Sequence, residues 1–128
     1  MKVRATLSVL GLCVLALTTG WLISPDLRNP KEVLESDART LVRLQEAHFL
    51  DFYGYTARPD RLGFEPQKHV LVRIQLSSDR LGWSSVLTDE RRPGAGCAVF
   101  GGSVVGPLPS PGGAVPTQPG VPVCDPGA

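Results

Sequence analysis

The chain has no excess of charge of either sign: 13 lysines and arginines stand against 12 aspartates and glutamates in 128 residues. Residues 1–20 hold only Lys2 and Arg4 among these, so the remainder carries 11 basic and 12 acidic residues. Nucleic-acid binding needs a clustered basic face, and anionic lipid needs a polybasic patch. Neither pattern is present, and no nucleic-acid partner is expected. Histidine is scarce, with only His48 and His69. Those two with Asp51 have no ligand spacing, so a packed helix histidine and a strand-edge histidine are expected rather than a metal site. Cysteine is scarce too, and none of it falls in C-x-x-C spacing, which argues against a redox motif. There is no internal repeat.

Catalytic motifs are equally thin. Gly82-Trp83-Ser84-Ser85-Val86 begins like a nucleophile elbow. Its fifth residue is Val where Gly is needed, however, and no helical pattern follows. Ser84 and Ser85 read as strand residues, one per face. Gly101-Gly102-Ser103 lacks the Lys and the helix of a phosphate loop. Pro116 to Pro119 matches P-x-x-P only as a proline-rich tail does by composition. Asp37, Glu46 and Asp51 occupy helical positions that read as solvated. No catalytic, cofactor-binding or metal residue is assigned, no cofactor or small-molecule substrate is expected, and the chain does not read as an enzyme.

What is present begins with a basic start, Lys2 and Arg4, followed by an uncharged run from Ala5 to Ile23. That is the pattern of a secretory signal or an uncleaved anchor. Its length, about 19 residues, just suffices to span a bilayer as a helix. Ala5, Leu10, Leu15, Trp21 and Ile23 mark the expected membrane segment, with Trp21 suited to the interface. Thr18 and Gly20 are small enough for cleavage after Gly20, so residues 1–25 are a signal-anchor or a signal peptide. The expected location is the cell envelope, single-pass in the inner membrane with the exported domain in the periplasm or extracellular space, or secreted if cleaved.

Pro25 disfavours helix at Ser24. A helix then restarts, with Asn29 as N-cap, Pro30 in the first position and Glu32 in the third. Over 31–53 apolar residues recur at helical spacing: Leu34, Ala38, Leu41, Leu44, His48 and Phe52. Glu35, Arg39, Arg43 and Glu46 lie opposite, and Glu35–Arg39 is an i,i+4 pair of the favoured order. Gly54 is expected to end the helix. Residues 54–68 form a loop from which Leu62 and Phe64 can tuck under it.

The period then changes to two. Val70, Val72, Ile74 and Leu76 alternate with His69, Leu71, Arg73 and Gln75 as a strand with one buried face. A polar turn over 77–81 leads to a returning strand over 82–88 with Trp83, Ser85 and Leu87 on one face. A turn over 89–96 precedes a short third strand over 97–100. The expected fold is α+β: one amphipathic helix on an antiparallel sheet of about three to four strands. Its helix–sheet core is Leu34, Leu41, Leu44, Phe52, Val72, Ile74 and Trp83.

Residues 101–128 are crowded with Gly and Pro, carry one charge, Asp125, and cannot build a long strand or helix. They form either a disordered tail or an irregular loop pinned near its end. Cys13 lies in the apolar run, whereas Cys97 and Cys124 form an even pair in the exported part. In an oxidising compartment that suggests a disulfide, worth roughly 3–4 kcal/mol in the chain-entropy account. A domain of about 100 residues is marginal enough for this to matter.

Three stretches carry a family resemblance. They are Leu44-Gln45-Glu46-Ala47-His48-Phe49 running into Tyr53-Gly54-Tyr55; Leu81-Gly82-Trp83-Ser84-Ser85; and Cys97-Ala98-Val99-Phe100-Gly101 with Gly120-Val121-Pro122-Val123-Cys124-Asp125. In their order and spacing they resemble minor pilin-like domains of the type IV pilin and pseudopilin family, over residues 26–125. The resemblance implies a long N-terminal helix whose first half is in the membrane and whose second half lies on a small sheet, closed by a C-terminal disulfide loop. It also implies packing with other pilin-like subunits in a pilus or secretion system. The N-terminus departs from the family. Arg4 stands where Gly precedes the processing point, and Val9 stands where the family has the Glu thought to pair with a neighbouring subunit's amine. On this reading 26–102 is the pilin-like domain and 103–128 its C-terminal loop or tail, on a divergent anchor.

Overall fold

The computed structural model describes residues 29–128. The apolar segment with Ala5, Leu10, Leu15, Trp21 and Ile23 lies outside the described residues. Among the described residues no helix is long and apolar enough to cross a membrane.

Helix α1 runs Pro30–Phe52, and the Asn29 side chain accepts the Lys31 N–H at 3.1 Å. That bond satisfies one of the donors a helix start leaves unpaired, while Pro30 has no N–H to satisfy. Helix α2 is a single turn, Pro59–Leu62. Strands β1 (Val70–Leu76), β2 (Gly82–Asp89), β3 (Arg92–Gly102) and β4 (Val123–Cys124) form one antiparallel sheet in the order β1-β2-β3-β4. The described chain is thus α+β: a long helix on a four-stranded antiparallel sheet.

Strand alternation sorts the residues. Trp83, Ser85 and Leu87 of β2 face α1, opposite Leu76, Ile74 and Val72 of β1 and Gly101, Val99 and Cys97 of β3. Leu34, Ala38 and Leu41 of α1 close on them, all essentially without solvent contact. Each large apolar side chain so buried contributes about 1.5–3 kcal/mol. Leu44, Val72 and Ile74 are partly buried against this cluster.

Phe52 does not belong to it. Its side chain is 70 % exposed, with its ring 4.6 Å from the His48 ring. The chain reverses at Tyr53, and Tyr55 takes the inner place instead, its ring 4.8 Å from Phe49 and 6.4 Å from Trp83. The helix stop also differs from expectation. The left-handed residue is Tyr53, with φ 55°, and its N–H donates to the Phe49 carbonyl; Gly54 is not in that conformation.

Two polar residues occupy the inner stripe of α1. Asp37, expected to be solvated, is buried and accepts from Gln67 through its backbone N–H at 2.9 Å and its side-chain Nε2 at 3.0 Å. Gln45, fully buried, binds both backbone groups of Thr56. Together they hold the 54–69 segment, whose Leu62 and Phe64 are buried in the core.

The third strand is much longer than the four residues expected. The connection before it is short, because Asp89 already pairs with Arg92. The register then jumps: Thr88 pairs with Gly96, so Pro93, Gly94 and Ala95 form a bulge. Bulges tolerate the Pro and Gly that a regular central strand does not.

The C-terminal segment covers the sheet face away from α1. The Leu108 N–H donates to Ser84 Oγ at 2.8 Å, and a groove there is lined by Val86, Thr88, Leu108, Pro109 and Pro111. Ala98 and Phe100, which point to this side, are buried. The segment returns as β4 beside β3, giving three layers.

Candidate functional site

Cys97 and Cys124 are directly paired residues of β3 and β4, with Cα atoms 4.0 Å apart, and form a disulfide across a sequence separation of 27. Cys97 belongs to the core cluster and Cys124 packs against it. The bond therefore ties the far end of the C-terminal segment to the middle of the sheet.

Asp125 completes the tie. Its buried carboxylate accepts hydrogen bonds from Ser110 Oγ and from the backbone N–H groups of Gly96 at 3.0 Å, Gly112 at 2.9 Å and Ala114 at 3.3 Å. Burial pushes its pKa up, but these four donors outweigh burial and hold it below the usual carboxylate value. A Cβ on Gly112 would stand 2.5 Å from the carboxylate carbon, so glycine is needed there. The sequence carried one signal for this centre: the single charge in the last 28 residues stands next to the last cysteine.

The other chemistry-bearing residues are dispersed. Ser85 Oγ donates to the Arg73 carbonyl at 2.8 Å, and Ser84 Oγ accepts from the Leu108 N–H, each on its own face of β2. His48 Nδ1 lies 2.7 Å from the Gly54 carbonyl, and His69 Nδ1 contacts Glu90 Oε1. His48, His69 and Asp51 are not brought together; among the described residues no group of three His, Cys, Asp or Glu is placed to hold a metal ion. Asp89, at the tip of the β2–β3 hairpin, accepts from the Arg91 guanidinium at 2.7 and 3.0 Å. That bond, against a smaller effect of burial, lowers its pKa to about 2. Glu46 accepts from Tyr55 Oη at 3.0 Å. Burial first, and then this carboxylate, push the Tyr55 phenol up to about 12.

The outer face of α1 is charged. Glu35 and Arg39 form their pair at 2.9 Å, and Arg43 donates to Thr40. An open depression there is bordered by Glu32, Glu35, Arg39, Arg43 and Gly120, so α1 and the disulfide-bonded segment share one surface. The functional geometry is thus a helix-bearing face and a stapled C-terminal layer on one sheet.

No protein-family model, curated protein or solved structure matches this chain.

Proposed function

We propose that the chain is a non-enzymatic, pilin-like or pseudopilin-like subunit of an envelope, pilus or secretion system. In this reading residues 5–23 anchor it in the inner membrane. The α+β unit stands on the periplasmic or extracellular side, and its partners are other pilin-like subunits. The observation that carries the reading is the order of parts in the folded unit. A long amphipathic helix, preceded in the sequence by an apolar segment, lies across an antiparallel meander, and a disulfide-bonded segment is joined to the last long strand. The disulfide is consistent with an oxidising compartment. The physics of assembly is lateral packing of apolar N-terminal segments, with the charged face of α1 projecting from them.

A second reading, a small binding domain secreted after cleavage near Gly20, is favoured by one feature. Asn29 is an N-cap with a non-helical ψ of 127°, so α1 has its own capped start at Pro30.

The mature N-terminus decides between them. For the anchored subunit, mass spectrometry returns the uncleaved N-terminal segment from the membrane fraction, and Leu10→Cys or Leu15→Cys variants crosslink to neighbouring copies or to other subunits. A soluble protein beginning at Trp21 removes the subunit reading and leaves the secreted domain.

A further inference from the structure

Where α1 stops and the β1–β2 turn passes beneath it, a cavity of about 250 Å³ is lined by Arg58, Arg61, Arg80, His48, Tyr55 and Leu76, among others. The nearby carboxylates are already engaged. Asp60 takes Arg58 through two bonds, at 2.9 and 3.3 Å. Asp79 accepts from Ser77 Oγ and the Leu81 N–H, and Glu46 accepts from Tyr55. Among the described residues the guanidinium groups of Arg61 and Arg80 have no ion pair or hydrogen bond. None of these carboxylates lines the cavity, and among the described residues two of its three guanidinium groups lack an ion-pair partner.

The fold holds these groups in position. Gln45 clamps Thr56, the Tyr55 N–H donates to the Arg80 carbonyl at 3.1 Å, and Arg80 itself has φ 64°. The Gly54 carbonyl can only accept, so His48 Nδ1 carries the hydrogen of their bond, and Nε2 is the ring nitrogen left for a ligand.

We propose that this cavity binds a doubly charged oxyanion, of the phosphate monoester class, through Arg61 and Arg80. Guanidinium forks match the geometry of phosphate oxygens, and a dianion balances two cations where a single carboxylate balances one. The apolar wall at Leu76 and the ring of Tyr55 border the space left for the carbon portion. His48 lies about 27 Å along α1 from its start at 1.5 Å per residue. If the anchor precedes α1, a soluble phosphate ester reaches the cavity more readily than a lipid headgroup does. The binding itself rests on neither reading of the function.

The test uses the full-length chain in nonionic micelles, with the arginine side-chain signals followed by NMR at constant ionic strength. Inorganic phosphate and a hexose 6-phosphate represent the free source; phosphatidic acid doped into the micelles represents the lipid source. Saturable shifts of the Arg61 and Arg80 signals with the free probes, absent with chloride or the neutral hexose, support a soluble ligand. Saturation by phosphatidic acid alone keeps the phosphate chemistry and assigns the headgroup. Arg61→Ala and Arg80→Ala each weaken binding by about tenfold or more, Arg61→Lys restores part of it, and Arg39→Ala on the outer face changes nothing. Both arginines are exposed, so unchanged circular dichroism is expected and separates lost binding from lost folding. Shifts that never saturate, or that persist with both arginines replaced, overturn the proposal.

Discussion

Gln45 holds Thr56 by both of that residue's backbone polar groups, donating from Nε2 to the carbonyl at 2.7 Å and accepting the N–H at Oε1 at 3.1 Å. The pair is buried and links the middle of α1 to the start of the segment that returns to the sheet. A side chain on an apolar stripe thus performs the pairing that a strand neighbour would otherwise supply. Gln45→Leu keeps the volume and strands two buried backbone groups. It is expected to lower stability by about 2–4 kcal/mol in urea unfolding, with faster amide exchange at Thr56 than elsewhere in the fold.

Reduction of Cys97–Cys124, or the double Cys→Ser variant, is expected to cost about 3–4 kcal/mol for a loop of this length. The loss should fall first on the C-terminal layer. Limited proteolysis should cut between residues 103 and 120 before it cuts α1. Simultaneous loss of both would argue that the layer and the core unfold as one unit.

Phe52 and Leu41 share the apolar periodicity of α1 but not its environment. Phe52→Ser is expected to change stability by no more than about 0.5 kcal/mol, because the ring is largely in water. Leu41→Ala, made in a fully buried site, is expected to cost about 2–5 kcal/mol. Thermal melts of the two variants side by side give the comparison.

The acid limb of stability is expected to be set in part by Asp89 and Asp125. Both pKa values are lowered in the fold, Asp89 to about 2. The unfolded chain therefore takes up protons at these sites before the folded one does. Their stabilisation is complete above the ordinary carboxylate range and fades as pH falls below it, for Asp89 toward about 2. Asp89→Asn should flatten that limb. Asp125→Ala should lower stability at neutral pH as well, since Gly96, Gly112 and Ala114 lose their buried acceptor. Denaturant midpoints measured across pH would detect both effects.

Local rules made much of the fold readable. The Asn29-Pro30 start, the helical spacing of Leu34, Ala38 and Leu41, and the alternation through Val70–Leu76 each depend on neighbours within a turn or along one strand. Phe52 obeyed the same spacing and was misplaced, because periodicity says which way a side chain points but not how far the covering sheet extends. Asp37 and Gln45 were unreadable for a related reason. A polar residue on an inner face is tolerated only if a distant backbone segment reaches it, and Gln67 and Thr56 lie 30 and 11 residues away. The bulge at Pro93–Ala95 disguised the first five residues of β3 as a turn, since Pro and Gly carry turn signals wherever they stand.

The cationic cavity belongs with these long-range features. Arg61 comes from α2 and Arg58 from its N-cap, Arg80 from a hairpin turn and His48 from α1, and nothing in their spacing links them. Composition and short-range pattern determined an apolar N-terminal segment, an amphipathic helix, an antiparallel hairpin and a paired cysteine framework, because each is governed by interactions between near neighbours. Tertiary structure alone decided which polar groups are buried, that Asp125 gathers the C-terminal layer onto Gly96, and that Arg61 and Arg80 line one hollow with no ion-pair partner among the described residues. Those outcomes depend on which remote segments meet, and the energy of a buried polar group is set by the partner it finds there.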